Sequence, residues 1–194
     1  MNKRSGMKSK ERITRAAMDV FLRKGYAKAS IREIARSAGL SVGAVYLYFR
    51  NKEELYKNLI LEKMRDLESR TARLFETIGS APEALSGILG MHLEHAIKHR
   101  EFILLHIREH GFTFGAQEKR KFFEHQKEMV ENIIRRGILS GEFRKCNPGD
   151  MATMIMGTLR GVVLSMALER NVFVSPRLMQ DFVLRGLLSE SRRE

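Results

Sequence analysis

The chain has 194 residues, three prolines, one cysteine (Cys146) and a formal net charge of +12. That length can bury a substantial core, a single cysteine excludes an intramolecular disulfide framework and fits a reducing cytoplasm, and the scarcity of proline without any alternating strand pattern favours an all-α chain. The charge is unevenly spread: residues 1 to 57 carry 14 Lys and Arg against 5 Asp and Glu, whereas the remainder carries 21 against 18.

The first ten residues are basic, lack the apolar stretch of a secretory signal, and read as a disordered arm adding phosphate contacts. Ile13, Ala16, Ala17, Val20 and Phe21 then form an apolar stripe for a first helix that Gly25 closes. Ile31, Ile34, Ala35 and Ala38 recur at helical spacing in a second, opened by Ser30 with Glu33 as its capping-box partner. Gly39 is placed to leave that helix through a left-handed conformation, and Leu40 to fill the gap before Ser41 caps a third helix. Val45 and Phe49 belong to the buried side of this third helix, which leaves Val42, Gly43, Tyr46, Leu47 and Tyr48 outside.

Two short capped helices around a glycine turn are the layout of a helix-turn-helix, and the local basic excess suits a polyanion. Gly43 and Ala44 are small enough for close approach, Val42 and Leu47 can touch thymine methyls, and the tyrosine hydroxyls can bond phosphates. Asn51 reads as the cap of a fourth helix with Glu54 as its box partner; Lys52 at its first position is expected to hold a phosphate.

The fourth helix is expected from Lys52 to about Ile78, roughly 40 Å long. Gly79 and Pro82 break it, and Pro82–Lys98, Glu101–His110, Gln117–Ser140, Pro148–Arg170 and Pro176–Leu188 read as five more, about nine helices in all. The expected division is a three-helix DNA-binding domain over 1–51 and a larger helical ligand-binding and dimerisation domain over 52–194. The most apolar stretch, Ala152 to Leu168, is short for a membrane span and carries Arg160, so no membrane partner is expected.

The run from Ile13 through Leu59 resembles the N-terminal domain of the TetR/AcrR family of bacterial transcriptional regulators. The likeness rests on Phe21, Gly25-Tyr26, Ser30-Ile31, Ile34-Ala35, Ala38-Gly39-Leu40-Ser41, Tyr46, Phe49 and Lys52-Glu53-Glu54-Leu55. It implies DNA contacts by Ser30, Arg32, Ser41, Gly43, Tyr46, Leu47, Tyr48 and Lys52. Leu47 and Tyr48 depart from the polar or histidine-containing pair that is frequent at their positions. It further implies a small-molecule effector held among the middle helices, acting on the reading heads through helix four.

Asn147-Pro148 and Ser175-Pro176 start two helices whose apolar residues exceed one stripe, and Gly157 and Gly161 would allow another helix to cross closely. Met154, Gly157, Gly161, Leu178 and Phe182 are therefore expected at a homodimer interface, where members of the resembled family pair; the alternative is a close intrachain contact. A two-fold dimer would meet successive major grooves about 34–36 Å apart and prefer a palindromic operator on double-stranded DNA. Met91, His95, Phe102, Phe112, Phe122, Phe123 and Met129 are candidates to line an adaptable cavity for an apolar or amphipathic effector, against the plainer reading of core packing.

Five of the six histidines lie between His92 and His110, which opens a metal- or haem-responsive alternative. No cysteine or carboxylate completes a known metal motif, and no metal or other cofactor is expected. The chain lacks GxGxxG, a P-loop and GxSxG, so an enzyme is not expected. A sequence-tolerant architectural DNA binder would share the basic head without needing so large an apolar remainder. The sequence thus points to a cytoplasmic, effector-responsive repressor.

Overall fold

The computed structural model describes residues 3–77, 79–110, 115–169 and 171–188, and over these the protein is all-α. Nine helices follow in chain order: α1 Lys3–Lys24, α2 Ile31–Ala38, α3 Val42–Tyr46, α4 Lys52–Thr77, α5 Ala81–Lys98, α6 Arg100–His110, α7 Ala116–Leu139, α8 Pro148–Leu168 and α9 Pro176–Leu187. An isolated bridge between Phe143 and Leu188 is the extended pairing among the described residues. One sequence expectation fails at the amino end: α1 begins at Lys3, because Lys, Arg, Met and Glu prolong a helix readily once its downstream turns are packed.

Two compact units divide the chain: Met1–Met64 with Glu101–Gly115, and Arg65–Arg100 with Ala116–Glu194. Helix α4 contributes residues to both, so the units part inside it and not at its first residue.

In the first unit the stripe Ile13, Ala16, Ala17, Val20 and Phe21 is buried against Ile34, Val45, Phe49, Leu55, Tyr56, Leu59 and Phe102. Aromatic rings fill its centre. Tyr56 meets Phe21 edge-on at 5.1 Å between centroids and Tyr26 at 4.9 Å, while Phe102 lies 5.8 Å away. Burial pushes the Tyr56 phenol well up, and the Glu109 carboxylate adds to this.

The second unit is organised around α5, whose buried residues Ala84, Leu85, Ile88, Leu89 and Leu93 face α7, α8 and α9 on different sides. A helix apolar on so much of its circumference belongs inside a bundle. Gly137 lets α7 come close: a Cβ there would meet Phe143 and, at 2.9 Å, Ala81.

Among the described residues α8 is the helix long and apolar enough, by length and composition, to cross a membrane. Only one of its sides enters the core, through Ala152, Ile155, Met156, Leu159, Met166 and Ala167. The opposite side stays exposed, with Met154 at 67% and Gly157, Gly161 and Arg160 beside it.

Candidate nucleic-acid interface

Both ends of α2 and the start of α3 are closed by specific groups. Ser30 Oγ accepts from the Glu33 N–H at 3.3 Å, and the Glu33 carboxylate is held in turn by the Ser30 hydroxyl and the Lys24 ammonium. The Lys24 bond keeps Glu33 below the usual carboxylate range, so this cap stays charged. At the far end Gly39 adopts φ 63°, ψ 40°, and the N–H groups of Gly39 and Leu40 return to the carbonyls of Arg36 and Ala35. Arg12 of α1 completes that end, donating to the Ala38 carbonyl at 2.6 Å and the Gly39 carbonyl at 3.1 Å. Sequence reasoning missed Arg12, because 26 residues separate donor and acceptor.

Ser41 Oγ accepts from the Ala44 N–H at 3.1 Å, which fixes the start of α3. Val45 and Phe49 are buried as expected, and they turn the remaining residues outward: Tyr46 is 51% exposed, Leu47 73%, and Val42 and Gly43 are also exposed. Ser30, Arg32 and Ser41 are exposed too. Tyr48 is half-buried against the first unit's core, so it presents an edge where a free outer face was expected.

Lys52 departs furthest from expectation. Its Nζ donates to the carbonyls of Tyr26, Ala27 and Ala29 at 2.8, 3.3 and 3.0 Å, and lies 4.4 Å from the Tyr26 ring centroid. An ammonium has three N–H bonds, and all three are engaged by the segment between α1 and α2. In the free protomer Lys52 therefore latches the segment between α1 and α2. Asn51 caps α4 through the Glu54 N–H at 2.7 Å, but the Glu54 carboxylate reaches back one residue further than in a capping box, to the Arg50 N–H at 2.7 Å.

The residues expected to line a cavity are divided between the two units. Phe102 is core of the first unit against Tyr56, since α6 packs there through its aromatic side. Met91, His95, Phe122, Phe123 and Met129 belong to the second unit, and Phe112 lies outside the described residues. His95 is buried, with burial as the main cause holding its ring down to about 4 and the neighbouring His99 adding to this. Phe123 is covered by the Arg160 guanidinium at 4.9 Å. A cavity of about 270 Å³ opens elsewhere in this unit, among Ala96, Arg100, Val163, Met166, Ala167 and Phe173. Among the described residues no three His, Cys, Asp or Glu side chains are grouped to hold a metal ion. Leu178 and Phe182 on α9 are exposed at 59% and 66%, like Met154 on α8.

Residues 13–59 match the family profile described as bacterial regulatory proteins, tetR family, and residues 79–164 match a tetracyclin repressor-like C-terminal domain. The uncharacterized HTH-type transcriptional regulator YerO of Bacillus subtilis (strain 168) is 27% identical over 188 residues, which cover 92% of this chain and 63% of YerO. The chain thus spans somewhat under two thirds of that relative's length. The fatty acid metabolism regulator protein of the same organism is 28% identical over 150 residues, covering 76% of this chain and 77% of its own. The solved structure of the fatty acid degradation regulator FadR from Bacillus halodurans superposes with a TM-score of 0.73 at 25% identity, covering 91% of this chain and 98% of that one.

Proposed function

Since this chain belongs to the TetR family of bacterial regulatory proteins, we propose that it is a homodimeric cytoplasmic repressor, released from a palindromic operator by a small apolar or amphipathic effector. The observation that carries the DNA-binding part is the α3 surface: Val42, Gly43, Tyr46 and Leu47 stand exposed on a motif in which both ends of α2 and the start of α3 are capped. A recognition helix must offer side chains to base edges without paying ordering entropy on contact, and such capping provides this.

In this reading residues 1–51 bind DNA and 52–194 bind effector and pair the protomers. Ser30, Arg32, Ser41 and the Tyr46 hydroxyl position the duplex, while Gly43 and Leu47 meet base edges. Tyr48 contributes from its exposed edge, and Lys52 acts through the segment it latches. Pairing is supported by the outer sides of α8 and α9. Met154, Leu178 and Phe182 are large, apolar and exposed in the protomer, and nothing within 4 Å would meet a Cβ at Gly157 or Gly161. Surfaces of that kind are expected to be covered by a partner. The names of two relatives, which concern fatty acid metabolism and degradation, fit an effector with a long apolar part.

The test is selection of bound fragments from genomic DNA, followed by footprinting and sedimentation of the free protein. One short symmetric protected site and a dimer at micromolar concentration are expected. Broad coverage without symmetry would instead identify an architectural protein, and a monomer would remove the two-fold reading.

A further inference from the structure

The interior of the second unit contains hydrogen-bonding groups that its own packing leaves unused. Gln126 on α7 is 1% exposed, and neither its side-chain nitrogen nor its oxygen has a partner among the described residues. His92 on α5 is buried, with Nδ1 2.9 Å from the Ile88 carbonyl oxygen and Nε2 without a partner among the described residues. A carbonyl only accepts, so Nδ1 carries the proton, and in a neutral ring Nε2 is left as a lone pair. Burial favours that neutral ring.

Helix register brings the two side chains to one level. Ala81 of α5 packs on Gly137 of α7. His92 lies eleven residues beyond Ala81 and Gln126 eleven residues before Gly137; eleven residues are close to three turns, about 16 Å, so each stays on the line of its anchor. The pairing of α4 with both helices gives the same level independently. Glu68 is bonded to His125 of α7, and Asp66 lies 3.8 Å from His95 of α5. Two α4 residues within one turn thus reach the residue before Gln126 and the residue one turn beyond His92. Met91 and Met129, both half-buried, flank the pair on the same two helices with side chains that adapt to varied shapes.

We propose that Gln126 and His92 are the polar anchor of the effector site, and that they select an apolar molecule ending in an uncharged group that both donates and accepts, an alcohol or a carboxamide. The inference rests on the reading of the second unit as an effector domain. Such a head group donates to His92 Nε2 and accepts from the Gln126 amide, or bonds both edges of that amide. A carboxylate or phosphate has only acceptors to offer and would set them against the His92 lone pair.

The test uses 1-decanol, decanamide and decanoate with the full-length protein, by calorimetric titration at pH 7.5 and by release of the selected operator. The two neutral probes are expected to bind, with decanoate weaker by about tenfold or more. Gln126→Leu is expected to weaken 1-decanol by about tenfold and at the same time to raise the melting temperature of the free protein, because an unpartnered amide gives way to an apolar side chain of similar volume. A misfolded variant cannot give that rise. In the wild type the Gln126 side-chain amide resonances are expected to move on addition of 1-decanol. Tighter binding of decanoate, unchanged 1-decanol affinity in Gln126→Leu, or failure of both neutral probes to bind overturns the proposal. Binding through Gln126 that leaves the operator occupied upholds the anchor and overturns the effector reading. Release by compounds whose potency Gln126→Leu does not alter overturns the anchor and leaves the effector reading standing.

Discussion

The two units are finished to different degrees. In the first, the ends of α2 and the start of α3 are capped, the aromatic centre is closed, and even a lysine at the head of α4 spends its donors internally. In the second, a glutamine and a histidine are buried with polar atoms unpartnered among the described residues, and two helices show large apolar side chains to solvent. The contrast separates a reader whose helix ends are closed by named groups from a domain that shows large apolar side chains to solvent and buries a glutamine whose polar atoms have no partner among the described residues.

The largest effect should come from cutting into the finished core. Phe21→Ala removes a fully buried ring that meets both Tyr26 and Tyr56, and is expected to lower the stability of the first unit by about 3–5 kcal/mol in urea titration. The same truncation at exposed Phe182 is expected to change protomer stability by less than about 0.5 kcal/mol while raising the dimer dissociation constant in sedimentation. Equal losses at the two positions would erase the contrast.

A second difference is the pH dependence that a buried histidine gives the second unit. His95 has its ordinary value near 6.5 in the unfolded chain and about 4 when folded, chiefly through burial. The unfolded state therefore binds more protons between these values. Stability is complete above pH 6.5, falls as the pH is lowered towards 4, and falls no further on this account below that. The full displacement corresponds to about 3 kcal/mol, and solvent at the edge of the ring brings it to about 2. Melting of the second unit, followed between pH 7.5 and 4, should show this loss, and His95→Leu should reduce it.

Gly39→Ala tests how closely the reader's turn is specified. The residue sits at φ 63°, where a Cβ is disfavoured, and that Cβ would lie 2.8 Å from the Arg12 guanidinium that closes α2. A loss of more than about 1 kcal/mol is expected. Ser41→Ala, which removes one cap bond, should cost about 1 kcal/mol and leave the fold intact, as circular dichroism would report.

The same contrast explains what could be read from the sequence. Ser30, Gly39, Ser41, Asn51, Asn147-Pro148 and Ser175-Pro176 act on residues within a few positions of themselves, and the structure puts helix ends at each. The latch of Lys52, the capping by Arg12 and the place of Phe102 in the first core all join residues more than twenty positions apart, which spacing along one helix does not reveal. Gln126 did leave a trace. It stands on the line of Val130, Ile133 and Gly137, a polar residue on an otherwise buried apolar stripe.

The finest prediction distinguishes positioning from direct contact within the reader itself. Lys52→Met keeps the aliphatic stem and removes the ammonium that holds the Tyr26, Ala27 and Ala29 carbonyls. If its donors are spent there, affinity should fall similarly for operator and random DNA while the dependence of log K on log salt stays as in the wild type, because no phosphate loses its partner. Arg32→Ala, from an exposed residue of α2, should instead lower the magnitude of that slope by about 0.9, the signature of one released counterion fewer. A slope change at Lys52 equal to that at Arg32 would mean that the ammonium leaves its carbonyls for the duplex, and the latch would then be a property of the free protein alone.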